Sequence, residues 1–231
     1  MKNLAIIPAR SGSKGLKDKN IKLLNGKPLL AYSVEAAKNS EIFEEIHVST
    51  DTILYADIAI EYGASVPFLR SGKNSTDTAS SWDVVRETIS KYEEMGRVFD
   101  TVTLLQPTTP LRTADNIKEA YEILQRSGKN SVVSVCEVEH SPLWCNTLPQ
   151  DGTMENFIRK DISILPRQKL DTYYRINGAV YIVKVPYFKA CKSIYDENCI
   201  AYIMDKEKSI DIDDEFDFKL ATAIINISNN E

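Results

Sequence analysis

Histidine and cysteine, the protein ligands that structural zinc sites need, are scarce in this chain. Its 231 residues include two histidines and four cysteines, and no two cysteines stand in a C-x-x-C arrangement. A structural zinc site uses about four such ligands at close spacing, so the sequence argues against one. We expect the cysteines to be free thiols, as in a reducing compartment.

Long apolar runs and an excess of basic residues are also missing. No run is long enough to cross a bilayer, and Met1 leads straight into a strand-like stretch without the pattern of a signal peptide. Lys and Arg number 28 against 33 Asp and Glu, which gives a net charge of −5. That balance argues against general nucleic-acid binding. We therefore expect a cytoplasmic protein without membrane or nucleic-acid partners, in which any anion-binding charge is local.

Neither of the two common phosphate-binding motifs occurs, since the chain has no G-x-G-x-x-G and no G-x-x-x-x-G-K-[ST]. Instead, the apolar residues 4–7 lead into a polar loop over residues 9–20, here called the opening loop, with two glycines, two serines and four basic residues. Glycine lets backbone N–H groups turn toward an anion, and Arg and Lys supply charge against phosphate. Taken alone, this spacing fits an anion site and a solvated turn about equally well.

Strand and helix patterns alternate from the start of the chain. Apolar residues recur at helical spacing over 29–40, β-branched residues follow over 46–50, and a helix over 52–62 ends at Gly63. This order predicts an α/β fold with a doubly wound, mostly parallel sheet and helices on both faces. Ligands of such sheets bind beyond the carboxyl ends of the strands, where the opening loop and Asp51 both lie. Capping of the following helix is the alternative role for Asp51.

The alternation lapses after residue 138. Residues 139–175 contain three prolines and an Asp-Gly turn but no convincing amphipathic helix. We interpret this stretch as an inserted arm, and residues 1–138 together with 176–231 as one α/β domain.

An acidic segment lies near the end of the chain. We predict a strand over residues 209–213, which puts Asp211 and Asp213 on one face. Adjacent carboxylates repel unless a cation lies between them, and Mg²⁺ takes one or two carboxylates and completes its shell with water and phosphate oxygens. Helix capping is the alternative for Asp213. The helix predicted over 215–228 would point four apolar side chains inward: Phe216, Leu220, Ile224 and Ile227.

Five segments together resemble one known family. The run I-P-A-R-S-G-S-K-G-L-K-D-K-N at residues 7–20 closely resembles the N-terminal signature of the acylneuraminate cytidylyltransferases, or CMP-sialic acid synthetases. Four later segments match the same family in order: Arg70 with D-T-A-S-S, L-Q-P-T-T-P-L-R at 105–112, N-G-A-V-Y-I at 177–182 and I-D-I-D at 210–213. The resemblance covers residue 4 to about residue 218.

The resemblance implies a nucleotidyltransferase of the nucleotide-diphospho-sugar transferase type. It would join CTP to a sialic-type (nonulosonic) 2-keto acid and release pyrophosphate, with Mg²⁺ as cofactor and the arm forming a homodimer. The arm segment at 139–143 matches the family, but Trp144 stands where sialic acid enzymes more usually carry a lysine. That difference leaves room for related acids such as legionaminic acid. Activation of another acid such as Kdo, activation of a sugar phosphate, and a nucleotide-binding protein without catalysis are the alternatives.

The resemblance also assigns roles to residues. The nucleotide site is predicted to contain Ala9, Arg10, Ser13, Lys14, Gly15, Lys19, Asn20, Arg70 and Ser80, with Ser81 the alternative to Ser80. The acid is predicted to contact Gln106, Arg167, Arg175, Asn177 and Tyr181, and the metal Asp211 and Asp213. Arg10, Lys19 and Asp211 are the catalytic candidates. The general base stays open between Asp211 and a hydroxide on the metal, and Thr108 and Arg112 have either a structural or a binding role.

Overall fold

The computed structural model of the protein describes residues 1–13 and 15–228, so Lys14 of the predicted nucleotide site lies outside the described residues. In that part of the chain no helix is long and apolar enough to cross a membrane. The two residue ranges form an α/β structure around one central sheet.

Within the described residues the central sheet has six strands, five of which run in one direction. They are β1 (Asn3–Pro8), β4 (Glu45–Ser49), β5 (Thr101–Leu104), β6 (Ser131–Glu137), β7 (Tyr174–Lys184) and β8 (Cys199–Ile203), and a separate two-stranded ribbon pairs β2 (Leu23–Leu24) with β3 (Lys27–Pro28). The spatial order is β4-β1-β5-β7-β6-β8, and β7 is antiparallel to both of its neighbours. The predicted mostly parallel sheet is confirmed.

Helices cover both faces of this sheet, as predicted. Their bounds are α1 (Leu29–Ser40), α2 (Ile53–Glu61), α3 (Ser81–Glu94), α4 (Ala114–Ser127), α5 (Lys160–Ser163), α6 (Val185–Ala190) and α7 (Glu215–Ser228). Side chains alternate across a strand, so Ala5 and Ile7 of β1 pack toward α1, α2 and α4, whereas Leu4 and Ile6 pack toward α3 and α6. The α7 helix packs on a third, smaller cluster with the β2–β3 ribbon.

The acidic segment is not a strand, which corrects the sequence prediction. A short 3-10 helix, Glu207–Ser209, is followed by irregular backbone over residues 210–214. The edge beside β6 is taken by β8, a strand that the sequence analysis missed. The backbone N–H of Ile212 instead donates to the carbonyl of Thr108 at 2.7 Å, so the segment lies across the loop that follows β5.

The inward face predicted for α7 is also wrong. Phe216 is 74% exposed, and the helix buries Phe218 and Ala221, with Ile225 packed beside them. Positions 218, 221 and 225 have the same helical spacing as the predicted stripe. The difference arises because the helix packs on Leu24 and Leu29.

Residues 139–175 contain little regular structure. They hold two 3-10 turns, Pro142–Trp144 and Arg167–Lys169, the short α5, and the first two residues of β7. Several large apolar side chains in this stretch face solvent, among them Leu148, Met154 and Ile164. Its division from the α/β domain stays a prediction.

Candidate active site

A cavity of about 630 Å³ lies at the carboxyl ends of β1 and β5. Three walls surround it: the opening loop after β1, the segment from residue 70 into the first turn of α3, and the loop after β5 with the acidic segment. Its lining includes Pro8, Arg10, Ser13, Gly15, Lys19, Asn20, Arg70, Asn74, Thr76, Asp77, Ala79, Ser81, Val84, Gln106, Pro107, Thr108, Asp211 and Asp213. This is the position at which open α/β sheets bind ligands.

The opening loop contacts the acidic segment directly. The Lys19 ammonium donates to the carbonyl oxygen of Ile212 at 2.6 Å and lies 3.3 Å from a carboxylate oxygen of Asp213. A Cβ atom on Gly15 would stand 2.7 Å from the carbonyl oxygen of Asp213, so glycine is needed for this close approach. The amide of the buried Asn20 donates to the carbonyl of Arg10 at 2.9 Å and thereby joins the two ends of the loop.

The guanidinium of Arg10 reaches across the cavity to a carboxylate. Its Nη2 atom lies 2.6 Å from Oδ1 of Asp77, in the loop that precedes α3. Both side chains are partly exposed, so the pair adds little to stability. An incoming anion can therefore replace this carboxylate at small cost.

Asp211 combines burial with an unsatisfied oxygen. Its Oδ1 atom is buried and has no hydrogen-bond partner among the described residues. Burial and the charge of Asp213 raise the pKa of the Asp211 carboxyl, whereas a hydrogen bond from Thr108 and the charges of Lys19 and Arg175 lower it. A buried carboxylate oxygen without a donor is expected to have a partner such as a cation.

These donors fit Mg²⁺ better than they fit zinc. Asp211 and Asp213 both line the cavity, and Mg²⁺ needs only one or two protein carboxylates when phosphate and water complete its octahedron. Over residues 1–13 and 15–228, no cluster of three or more His, Cys, Asp or Glu side chains is placed to hold a metal. The pair thus fits a metal shared with a substrate phosphate.

Arg70 is buried at the end of β4. Its Nε donates to the hydroxyl of Ser49 at 3.0 Å and its Nη2 to the carbonyl of the same residue at 2.5 Å. Burial lowers the pKa of Arg70 to about 10, and the charges of Asp51 and Glu87 oppose that shift. The side chain lines the cavity in a fixed orientation.

Ser80 and Ser81 have different surroundings. The Ser80 hydroxyl accepts from the backbone N–H of Trp82 at 3.1 Å and so caps the N-terminus of α3. Ser81 is the serine that lines the cavity. The geometry therefore favours Ser81, the alternative, over Ser80 for contact with a nucleotide.

Gln106 lies on the cavity and closely approaches β7. A Cβ atom on Gly178 would stand 2.3 Å from Oε1 of Gln106, and Gly178 also has a φ of +75°. Arg112 is buried behind them and donates to the carbonyls of Ala179 at 2.9 Å and Gln106 at 3.3 Å. Burial lowers the pKa of Arg112 to about 9. Arg112 thus has the structural role that the sequence left open, fixing the loop that carries Gln106.

Asn177 does not reach the cavity, which corrects the prediction that its amide contacts the acid. The residue is 0% exposed. Its Oδ1 accepts from the hydroxyl of Ser134 at 2.6 Å, and its Nδ2 donates to the hydroxyl of Ser209 at 2.8 Å. The reason is that β7 is an interior strand covered on both faces, so either side of it is core.

Two further predicted contacts are also core residues. Tyr181 is 7% exposed, and its ring packs edge-on against Trp82 with centroids 5.7 Å apart. Burial chiefly raises the pKa of Tyr181, and the charge of Asp211 adds to that effect. Ala9 is fully buried, and its N–H donates to the carbonyl of Ser49 at 2.9 Å, so its side chain does not face a ligand.

Neither of the two arginines predicted at the arm's end is seen in the cavity lining of the described residues. Arg175 is exposed and donates to the carbonyl of Ser209 at 2.9 Å, beside the acidic segment. The side chain of Arg167 lies outside the described part of the structure.

Sequence reasoning did not assign several residues of the cavity. Asn74, Thr76 and Asp77 line it from the loop before α3, and Thr108 hydrogen-bonds Asp211. Each of them lies within or beside a segment that resembles the family, so their positions in the sequence could have indicated them.

Comparison with known proteins identifies the family. The family model described as cytidylyltransferase matches residues 4–223. The chain is 40% identical to a CMP-N,N'-diacetyllegionaminic acid synthase of Legionella pneumophila, over 99% of this chain and 98% of that protein. It is also 40% identical to an N-acylneuraminate cytidylyltransferase of Escherichia coli, over 100% of this chain but 54% of that longer protein.

A solved structure supports the fold alone. The structure of a CMP:2-keto-3-deoxy-manno-octonic acid synthetase complexed with CTP superimposes with a TM-score of 0.71 at 14% identity, covering 99% of this chain and 100% of that one. The match of the family model and the 40% identity over nearly the whole length of the Legionella protein lead to one conclusion. The chain belongs to the cytidylyltransferase family.

Proposed function

We propose that this protein transfers the cytidylyl group of CTP to a nonulosonic acid, giving the CMP-sugar and pyrophosphate. The observation that carries the proposal is one cavity in which basic side chains of the opening loop face the Asp211–Asp213 pair. The 40% identical relatives, named for diacetyllegionaminic acid and for N-acylneuraminate, supply the class of acid.

In the proposed reaction the anomeric hydroxyl oxygen of the acid attacks the α-phosphorus of CTP. A new O–P bond forms while the bond from the α-phosphorus to the bridging oxygen breaks, and pyrophosphate leaves with that electron pair. The hydroxyl proton passes to the carboxylate of Asp211, which lines the cavity. Such reactions depend mainly on positioning and on charge stabilisation.

Arg10 and Lys19 would neutralise the triphosphate. Both line the cavity, and each is paired with a carboxylate, Arg10 with Asp77 and Lys19 with Asp213. Because these pairs are partly exposed and weak, binding of CTP would replace Asp77 at Arg10 with a phosphate oxygen, which a guanidinium binds well.

Asp211 and Asp213 would hold Mg²⁺, which supplies positive charge to the phosphate oxygens at the reacting centre. The unsatisfied Oδ1 of Asp211 supports this assignment. Arg70 and Ser81 would face the base and ribose, and Gln106 would face the acid, since all three line the same cavity.

The arm is proposed to form a homodimer. Leu148, Met154 and Ile164 are exposed apolar side chains within residues 139–175. A second copy of the chain is proposed to cover these side chains. Arg167 and Arg175, at the base of the arm, are proposed to meet the substrate carboxylate.

Pyrophosphate release tests the proposed function. The protein would be incubated with CTP, Mg²⁺ and one acid from a panel of N-acetylneuraminate, di-N-acetyllegionaminate and Kdo, and binding of CTP would be measured by calorimetry. We expect pyrophosphate with at least one nonulosonate. Activity with Kdo alone would favour a different acceptor, and CTP binding without pyrophosphate would indicate a binding protein.

A further inference from the structure

We propose that Asp51 and Tyr55 are positioning residues of the nucleotide site, which hold the opening loop in the shape that receives the triphosphate. The inference rests on the proposed function. Both residues belong to the β4–α2 unit, Asp51 just after the strand and Tyr55 within the helix. Neither is among the residues that line the cavity.

Asp51 uses both carboxylate oxygens on one residue of the loop. The backbone N–H of Ser11 donates to Oδ1 at 2.7 Å, and the Ser11 hydroxyl donates to Oδ2 at 2.9 Å. Capping of α2, the role that the sequence offered as an alternative, is performed by the next residue, since the Thr52 hydroxyl accepts from the N–H of Tyr55 at 3.4 Å. Asp51 is thereby left to hold the loop.

Tyr55 holds the other end of the loop. Its ring is buried in the core, and its hydroxyl donates to Oδ1 of Asp18 at 3.3 Å. Asp18 has a φ of +51° and begins the 3-10 turn Lys19–Ile21. Asp adopts this left-handed conformation more readily than most residues with a Cβ atom, and the bond from Tyr55 fixes Asp18 in it.

The two anchored residues are the sequence neighbours of the two cations. Ser11 follows Arg10, and Asp18 precedes Lys19. Each anchor therefore fixes the backbone from which one of the triphosphate-binding side chains projects. The N–H of Ser11 is already bonded to Asp51, so it is not a donor to phosphate, and the loop contributes Arg10, Lys19 and other cavity-lining positions instead. A preorganised loop of this kind lowers the ordering cost of binding the anion.

The test compares variants by CTP affinity and by steady-state kinetics. Asp51→Ala removes both bonds to Ser11, and we expect the dissociation constant and KM for CTP to rise about tenfold, as for loss of a charge-assisted hydrogen bond, with KM for the acid unchanged. Tyr55→Phe keeps the buried ring and removes one long hydrogen bond to a carboxylate, so a rise of about threefold is expected.

Asp51→Asn provides the rescue. Its amide oxygen accepts from the Ser11 N–H and its amide nitrogen donates to the Ser11 hydroxyl, so the geometry survives while the charge is lost. If the hydrogen bonds to Ser11, and not the charge of Asp51, hold the loop, CTP affinity should stay within about twofold of the unmodified protein. Asp57→Ala, at an exposed position of the same helix, is the matched control and should leave CTP affinity unchanged.

The results separate this inference from the proposed function. Weaker CTP binding in Asp51→Ala with recovery in Asp51→Asn supports it. The inference is overturned if Asp51→Ala binds CTP normally, if Asp51→Asn is as impaired as Asp51→Ala, or if Asp51→Ala lowers kcat alone. Should Asp51→Ala fail to fold, weaker CTP binding in Tyr55→Phe together with near-normal binding in Asp51→Asn supports the inference. Normal CTP binding in Tyr55→Phe then overturns it. Failure of the unmodified protein to bind CTP would instead overturn the proposed function, and this inference with it.

Discussion

The opening loop and the arm are both stretches of irregular backbone, but they are held in opposite ways. The loop is bonded to distant elements: Ser11 to Asp51, and Lys19 to the carbonyl of Ile212. Most of the described side-chain bonds between residues 140 and 170 of the arm are local, such as that between Arg159 and Asp161 two residues later. Irregular backbone keeps one shape when the scaffold satisfies its polar groups, whereas a segment with mostly local contacts opens more easily.

This contrast leads us to expect large effects at the loop and the acidic segment and small ones in the arm. Asp211→Asn should have the greatest effect, lowering kcat by roughly 100-fold or more because it removes the charge and the proton acceptor at the reacting centre. Pyrophosphate release and thermal unfolding, measured on the same sample, would show lost turnover with an intact fold. Near-normal turnover in this variant would contradict the assigned role.

The two histidines offer a second contrast, one in the scaffold and one in the arm. His47 is fully buried, and burial lowers its pKa from 6.5 to about 3, with the charge of Arg70 adding to the shift. The unfolded chain gains a proton below pH 6.5 while the folded protein does not, so stability is complete above that pH and falls as the pH decreases. Between pH 6.5 and 5 we expect the free energy of unfolding to fall by roughly 1–2 kcal/mol from this group.

Urea unfolding at several pH values measures this effect. His47→Phe, which keeps an aromatic ring against Phe68 and Tyr92, should flatten the slope between pH 6.5 and 5. His140→Gln, at an exposed position of the arm, is the control. The account of His47 fails if the slope in His47→Phe equals that of the unmodified protein. Burial raises the pKa of Glu87, but hydrogen bonds from Lys91, Asn74 and Ser71 outweigh it and lower the pKa to about 2. Glu87 therefore changes the free energy of unfolding chiefly below about pH 5.

Two glycines make a third, smaller contrast. Gly15→Ala places a methyl group 2.7 Å from the carbonyl oxygen of Asp213, so the loop and the acidic segment must separate. We expect kcat/KM for CTP to fall by about tenfold, since misplacement of binding groups weakens transition-state contacts. Gly152→Ala in the arm meets no atom within 4 Å, although its φ is +70°, and should cost about 1 kcal/mol in stability without changing kcat/KM. Equal kinetic effects in both variants would remove the contrast.

The smallest effect is expected at the exposed apolar surface of the arm. Ile164 is 81% exposed in the monomer, so at concentrations too low for association Ile164→Ala should change the free energy of unfolding by no more than about 0.5 kcal/mol. Ile162, buried two residues earlier in α5, is the matched position, and its replacement by alanine should cost about 2 kcal/mol. Sedimentation of Ile164→Ala then tests the proposed dimer, because loss of an interface residue would shift the association equilibrium. A loss of stability in Ile164→Ala as large as in Ile162→Ala would contradict the description of this surface.

Local sequence patterns predicted those elements whose structure depends on nearby residues. The helix over 29–40 agrees with α1, because its apolar spacing has one buried face on the sheet. The opening loop was predicted at the carboxyl end of β1 and lines the cavity there, since the strand order fixes where those ends lie. Asp213 lies on the cavity although the strand predicted for it does not exist.

Long-range contacts decide the features that the sequence could not reveal. Asn177 bonds Ser134 and Ser209, which are 43 and 32 residues away, so no local pattern shows that its amide is occupied. Asp51 bonds Ser11 across 40 residues, and its neighbour Thr52 assumes the expected capping role. The face of α7 was ambiguous because two stripes on it have helical spacing, and only its packing on Leu24 and Leu29 selects one.

The fate of the α-phosphorus tests the proposed reaction most directly. CTP labelled with ³²P at the α-position would be incubated with the protein, Mg²⁺ and di-N-acetyllegionaminate or N-acetylneuraminate, and the products separated by chromatography. We expect the label in a CMP-sugar that requires both the acid and Mg²⁺, with none in pyrophosphate. Label that stays in CTP with every nonulosonic acid, or that appears only in free CMP from the outset, would contradict the proposed cytidylyl transfer.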